Sequence, residues 1–190
     1  MSDMARSALL TLALSAAALL AYAGYRAVVP GNMPGGAEHA GASVLVDRLP
    51  DFALEDLTGE VRSIQGWEGD ALVINFWATW CAPCRVEMPD LQELHEELGD
   101  TAGFTMLAIN LQEDAAQVRR FAAELELSFQ ILLDSSGETS AAYGARTLPM
   151  SYIIDKDGAI IARIIGVREW AEPEFAALFR ALTNRTPSSP

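Results

Sequence analysis

An α/β fold with a mixed central sheet and helices on both faces is what three features of this chain predict. Two dense β-branched and aromatic runs, Ala71–Ala78 and Phe104–Leu111, alternate with two segments of helical period. Two further strand-like runs, Ser151–Ile154 and Ala159–Ile165, flank Asp155-Lys-Asp-Gly158, a strong hairpin turn signal. The chain has 190 residues, 51% hydrophobic and 21% charged, enough for one ordinary domain and a short appendage.

The elements follow in order. After a short tail at 1–6, residues Ser7 to Tyr25 carry no charge between Arg6 and Arg26. Nineteen helical residues reach roughly 28 Å, close to the hydrocarbon thickness of a bilayer. The stretch 7–29 therefore reads as a transmembrane anchor, with Tyr22 and Tyr25 at its interfacial end. A cleaved signal peptide is the rival, since Ala21-Tyr22-Ala23 has the small-x-small form of a cleavage site. A core helix would carry a polar face, which this segment lacks. Either export reading places the rest of the chain outside the cytoplasm.

Residues 30–42 hold four glycines and two prolines, a composition that keeps neither helix nor strand, so they form a flexible linker with His39 solvated within it. The domain proper spans 43–184, and 185–190 is a frayed tail. Phe52–Leu54 and Glu60–Ser63 flank Asp56-Leu-Thr-Gly59 as a hairpin. Ala71–Ala78 is a central strand buried on both faces. Arg85–Leu98 is a helix with Val86, Met88, Leu91, Leu94 and Leu98 at apolar spacing, and Pro89 inside it should introduce a kink. Asp114 with Gln117 resembles a capping box opening a helix to about Leu125. Pro173 suits the first turn of a terminal helix ending near Leu182. The order strand, helix, strand, helix, strand, strand, helix then gives two parallel crossovers and a closing hairpin.

Charge excludes one class of function. Lys+Arg is 13 against Asp+Glu 26, a net −13, and a chain so acidic lacks the phosphate contacts on which nucleic-acid affinity rests. Cysteine count excludes others. Only Cys81 and Cys84 are present, with His39 and His95, too few and too scattered for a four-ligand zinc site. A bridge between them would close a ring too small to remove much unfolded-chain entropy. Redox chemistry is what remains.

Trp80-Cys81-Ala-Pro-Cys84 lies between a strand and a helix start. There the unpaired N–H groups and the positive end of the helix dipole stabilise a thiolate. Cys81, at the exposed tip, is the expected nucleophile, and Cys84, one turn deeper, resolves the mixed disulfide. Pro83 stiffens the first turn, and Trp80 flattens one side of the sulfur and limits access of water. Ala-Pro between the cysteines, with no histidine, points to a comparatively reducing couple.

Asn75-Phe-Trp-Ala-Thr-Trp-Cys-Ala-Pro-Cys84 resembles a thioredoxin-fold active site. The wider pattern is similar to the TlpA/ResA type of extracytoplasmic thioredoxin-like proteins. Leu49–Leu54 resembles their opening segment, Cys84–Pro89 their redox helix, Phe104–Asp134 their central αβ insertion and Arg146–Asp155 their closing part. The resemblance implies that Pro149 is a cis-proline facing the disulfide, with Leu148 before it giving a more apolar docking surface. It implies that Glu87 is the acid exchanging protons with the thiols, its pKa raised by burial. Asn75 stands where classical thioredoxins have a buried aspartate, and an amide cannot move that proton.

The resemblance further implies an exported thiol–disulfide oxidoreductase, tethered on the periplasmic side of the inner membrane or soluble in the periplasm after cleavage. It would reduce apocytochrome c or the copper-receiving subunit of an oxidase, and a membrane donor of thiol-reductase type would re-reduce it. No cofactor beyond the Cys81–Cys84 disulfide and no metal is expected. Two other functions are weighed against it. A copper chaperone on the same fold wants a distal-loop histidine, and His95 lies eleven residues along the helix from Cys84. A thiol peroxidase wants Thr/Ser-x-x-Cys, and Thr79 is two residues before Cys81 and five before Cys84.

Overall fold

The computed structural model describes residues 49–99 and 101–184, so the readings for 1–42 and 185–190 lie outside the described residues. No helix among the described residues is long and apolar enough to cross a membrane.

Seven strands, β1 (Ala53–Asp56), β2 (Val61–Ser63), β3 (Ala71–Trp77), β4 (Phe104–Leu111), β5 (Gln130–Asp134), β6 (Met150–Ile154) and β7 (Ile160–Ile165), form one mixed sheet in the order β2-β1-β5-β4-β3-β6-β7. β1 (Ala53–Asp56) and β2 (Val61–Ser63) pair antiparallel around the Asp56–Gly59 turn. The reason for that turn is Asp56, which is buried and whose carboxylate accepts from the backbone N–H groups of Thr58 and Glu60, the Thr58 hydroxyl and Arg62 Nε. Those donors hold its carboxyl well below the ordinary 3.8. Asp56→Ala is expected to cost about 1–3 kcal/mol, because it orphans several of these donors at once. The native pKa is depressed, so this contribution is full above pH 3.8 and is lost on acidification towards the native value. Thermal unfolding of both proteins across the acid range checks this, and the gap should narrow as pH falls.

β3 (Ala71–Trp77) is buried at every residue, as a strand covered on both faces must be. It pairs parallel with β4 (Phe104–Leu111) and antiparallel with β6 (Met150–Ile154), which in turn pairs with the edge strand β7 (Ile160–Ile165). The second parallel crossover closes on β5 (Gln130–Asp134), the run that ends the central insertion, rather than on the strand at 150. Between β5 and β6 stands a five-residue helix, and a 3-10 turn at Ile64–Trp67 precedes β3; neither is in the order expected from the sequence. Both are too short to display a hydrophobic period.

Helix α1 spans Ala82–Leu98, starting three residues before Arg85 and running continuously through Pro89. Met88, Leu91, Leu94 and Leu98 are buried on the sheet, whereas Val86 is 68% exposed, and Glu87 takes the inward place beside it. Helix α2 (Ala115–Glu124) is capped by Asp114, which accepts from the N–H groups of Ala116 and Gln117. The capping box is one-sided, however, because the Gln117 amide turns to Thr79 and Glu113. Helix α3 is Glu138–Ala142, and α4, Pro173–Thr183, opens with its proline in the first turn.

Alternation along β3 sorts the core. Leu72, Ile74 and Phe76 point to a face completed by Tyr143, Tyr152 and the partly buried Leu54 and Trp67. Asn75 and Trp77 point to the other face, where α1 lies and Phe121 of α2 packs on Trp77 at 5.1 Å between ring centroids. Phe179 of α4 meets Phe104 on that same face at 4.9 Å. The three long helices thus share one side, and the short α3 with the hairpin segment serves the other.

Candidate active site

β3 ends at Trp77 and the chain turns through Ala78–Trp80 into α1, with the Cys81 N–H donating back to the Ala78 carbonyl. Cys81 is the N-cap residue of α1, and its sulfur accepts from the Cys84 N–H at 3.2 Å. The two cysteines are joined in a disulfide, their Cα atoms 5.3 Å apart. Cys81 is 5% exposed and Cys84 fully buried, so only the first sulfur presents a face to an incoming group. Pro83 occupies the first turn. Trp80, next in the chain before Cys81, is 67% exposed and lines the same groove as Cys81.

A groove runs along the disulfide, lined by Trp80, Cys81, Ala82, Pro83, Leu111, Ala145, Arg146 and Leu148. The Leu148–Pro149 peptide is cis. Leu148 contributes to the groove wall, and Pro149 is buried, its carbonyl accepting from the Gly166 N–H. A larger cleft between Trp67, Asp70 and Lys156 opens at the far end of β3 from the disulfide.

Glu87 lies one turn beyond Cys84 on the buried side of α1. Its Oε1 accepts from Asn75 Nδ2 at 2.8 Å, and its Oε2 accepts from the Arg168 N–H and Trp170 Nε1, each at 3.3 Å. Burial raises its pKa above the ordinary value, opposed by these donors. Asn75 also donates to Ser151 Oγ at 2.9 Å, a contact set by the register that places the two residues opposite each other. The amide where thioredoxins have an aspartate therefore serves to orient Glu87. A buried carboxyl one helical turn on from Cys84 can hold or release a proton on that side of α1.

His95 lies further along α1, half-buried and edge-on to Phe129, with burial lowering its pKa. Among the described residues no group of three or more His, Cys, Asp or Glu is placed to hold a metal. Thr79 is not aimed at either sulfur. Its N–H and hydroxyl both donate to the Glu113 carboxylate, which also receives Asn110 Nδ2 and Gln117 Nε2, each at 2.7 Å. From the other side Arg85 donates to the Thr79 carbonyl and lies over the Phe121 ring.

This clamp on the turn before Cys81 is invisible in the sequence, because Glu113 is 34 residues from Thr79 and on a different loop. The same holds for Trp170, fully buried against Glu87 across 83 residues of chain. Glu113→Ala is expected to destabilise the fold by about 1–3 kcal/mol and to speed amide exchange at Thr79. Hydrogen exchange read residue by residue checks it, and unaltered protection at Thr79 would refute the clamp.

A two-residue-spaced cysteine pair at a strand–helix junction, on a mixed sheet of this topology, defines a thiol–disulfide oxidoreductase. Comparison with known proteins agrees. A model of the AhpC/TSA family matches residues 45–163. The thioredoxin-like protein YneN of Bacillus subtilis is 41% identical over 116 residues, 60% of this chain and 66% of that protein. The thiol-disulfide oxidoreductase ResA of Bacillus cereus is 36% identical over 117 residues, 62% of this chain and 67% of that one. The chain thus matches about two thirds of the length of these relatives. Among solved structures, a DsbE thiol:disulfide interchange protein from Chlorobium tepidum superposes with a TM-score of 0.62 at 32% identity, covering 70% of this chain and 96% of that one. StoA from Bacillus subtilis gives 0.59 at 26% identity, covering 68% and 98%. The chain belongs to the AhpC/TSA family and, within it, to the thioredoxin-like thiol–disulfide oxidoreductases of the TlpA/ResA type.

Proposed function

We propose that the protein is an exported reductant of protein disulfides, with Cys81 the attacking and Cys84 the resolving thiol. The observation that carries this reading is the asymmetry of the pair: Cys81 caps α1 beside an open groove, and Cys84 is sealed behind it. In the reduced protein the Cys81 thiolate attacks one sulfur of a substrate disulfide. A mixed disulfide forms and the substrate's other sulfur leaves as thiolate. Cys84, losing its proton to Glu87, then attacks the Cys81 sulfur and expels the second substrate thiolate. Two electrons have passed to the substrate, and the Cys81–Cys84 disulfide remains.

Trp80, Pro83, Leu148 and Pro149 form the substrate side of the site in this reading, and the Ala-Pro pair keeps the couple reducing. The resemblance to the TlpA/ResA type supports the finer assignment. Substrates are apocytochrome c or a copper-receiving oxidase subunit, residues 7–29 are the membrane anchor or a cleaved leader, and a membrane thiol reductase restores the dithiol. Differential alkylation tests the thiol assignment. In the fully reduced protein near neutral pH, iodoacetamide should label Cys81 at least about tenfold faster than Cys84, since only one sulfur lies at the helix terminus and the surface. Equal labelling, at the rate of free cysteine, would refute it.

A further inference from the structure

The groove beside the disulfide has an electrostatic character unlike the rest of the chain. The protein has 26 acidic residues and a net charge of −13, yet no carboxylate lines this groove. Its one charged lining residue is Arg146, set among Trp80, Leu111 and Leu148. Arg146 is exposed, and among the described residues its guanidinium has no hydrogen-bond or ion-pair partner.

Other arginines around the site are engaged. Arg85 is held by the Thr79 carbonyl and the Phe121 ring. Arg163 donates to the Gly144 carbonyl and Met150 Sδ, and Arg168 Nη1 to the Val167 carbonyl. The backbone carrying Arg146 is fixed, with its own N–H donating to the Gly144 carbonyl at 2.9 Å and the Ala145 N–H to the Ser140 carbonyl at 2.8 Å. A fork of donors with no protein partner, carried on a hydrogen-bonded backbone and set on an apolar wall next to the reactive sulfur, is half of a recognition pair.

We propose that Arg146 is a specificity-determining residue that selects substrates with a carboxylate close to the target cysteine. The preferred substrate is an extended segment with an apolar residue against Trp80 and Leu148 and an Asp or Glu one or two positions from its cysteine. This rests on the reductase reading above and adds the substrate's charge pattern to it. The acidic remainder of the protein does not oppose such a segment at contact, because charges farther than about 8 Å are largely screened at physiological salt, whereas Arg146 meets the segment directly.

The test uses three synthetic peptides, each closed by one disulfide, with Glu, Gln or Lys placed two residues from the attacked cysteine. Reduced protein is mixed with each oxidised peptide, and the second-order rate of reduction is followed by tryptophan fluorescence at low and high salt. The wild type should reduce the Glu peptide about three- to tenfold faster than the Gln peptide, and the Lys peptide slowest, with the spread shrinking in high salt. Arg146→Gln should abolish the Glu/Gln ratio, and Arg146→Glu should invert the Glu/Lys order. Arg146 is exposed, so neither variant threatens the fold. A wild-type Glu/Gln ratio near one, or a ratio unchanged in Arg146→Gln, overturns the proposal while leaving the reductase reading standing. Failure of the wild type to reduce all three peptides overturns the reductase reading, and this one with it.

Discussion

Replacing Cys84 by alanine is expected to stop turnover and leave Cys81 locked to its substrate. Cys81 keeps its place at the head of α1, so the first attack survives. What disappears is a thiol held one helical turn away, whose attack on the mixed disulfide is intramolecular. Release then depends on thiols from solution, and turnover should fall at least about a thousandfold. Non-reducing electrophoresis of the Cys84→Ala protein, expressed as the full chain, should show adducts that dithiothreitol dissolves. Mass spectrometry of those adducts identifies the substrates and so tests the proposal that they are apocytochrome c or a copper-receiving subunit. Cys81→Ala in the same cells should show none. Well-expressed Cys84→Ala protein without adducts would defeat the proposed order of attack.

Glu87→Gln has the second largest expected effect, and it has two separable readouts. Release of the mixed disulfide should slow about ten- to hundredfold, the range in which a positioned general base contributes, while the first attack by Cys81 changes little. Stopped-flow kinetics divides the two steps, and equal slowing of both would assign Glu87 a structural role only. The other readout is stability. Burial raises the native pKa of Glu87 above 4.5, so the fold favours its protonated form. Its contribution to stability is therefore full below the ordinary value and is lost as pH rises through the raised native one. Glutamine has no charge to desolvate, so the variant should gain in Tm relative to wild type between pH 4 and pH 8. A constant difference across that range would show that Glu87 carries no desolvated charge.

Glu87 also shows where reading residues along the chain stops being sufficient. By helical spacing alone Val86 belongs to the apolar stripe and Glu87 to a solvated acidic face. The structure does the reverse, because Asn75, Trp170 and the Arg168 N–H supply a polar seat for the carboxylate on the inner side of α1. Two of those partners come from the segment before α4, more than 80 residues away. The periodicity of one helix contains no information about them. Resemblance to related proteins, not spacing, pointed to that carboxylate.

Elements long enough to express a period were legible: β3, β4, α1, α2, the β6–β7 hairpin and α4 all stand where their patterns place them. Among shorter runs the β1–β2 hairpin is legible because Asp56-Leu-Thr-Gly59 marks its turn, whereas α3, the 3-10 turn and the strand that closes the second crossover carry no such mark. Such short elements take their conformation from the surface they pack on.

The cysteine pair, its place at a strand–helix junction, and hence the kind of chemistry, are local properties, and local order along the chain was enough to determine them. What seats the Glu87 carboxyl on the buried side of α1, and which arginine at the groove has no partner among the described residues, were decided only by tertiary structure. Each of these depends on groups brought together across tens of residues, and the field, burial and hydrogen bonds that set reactivity exist only after that assembly.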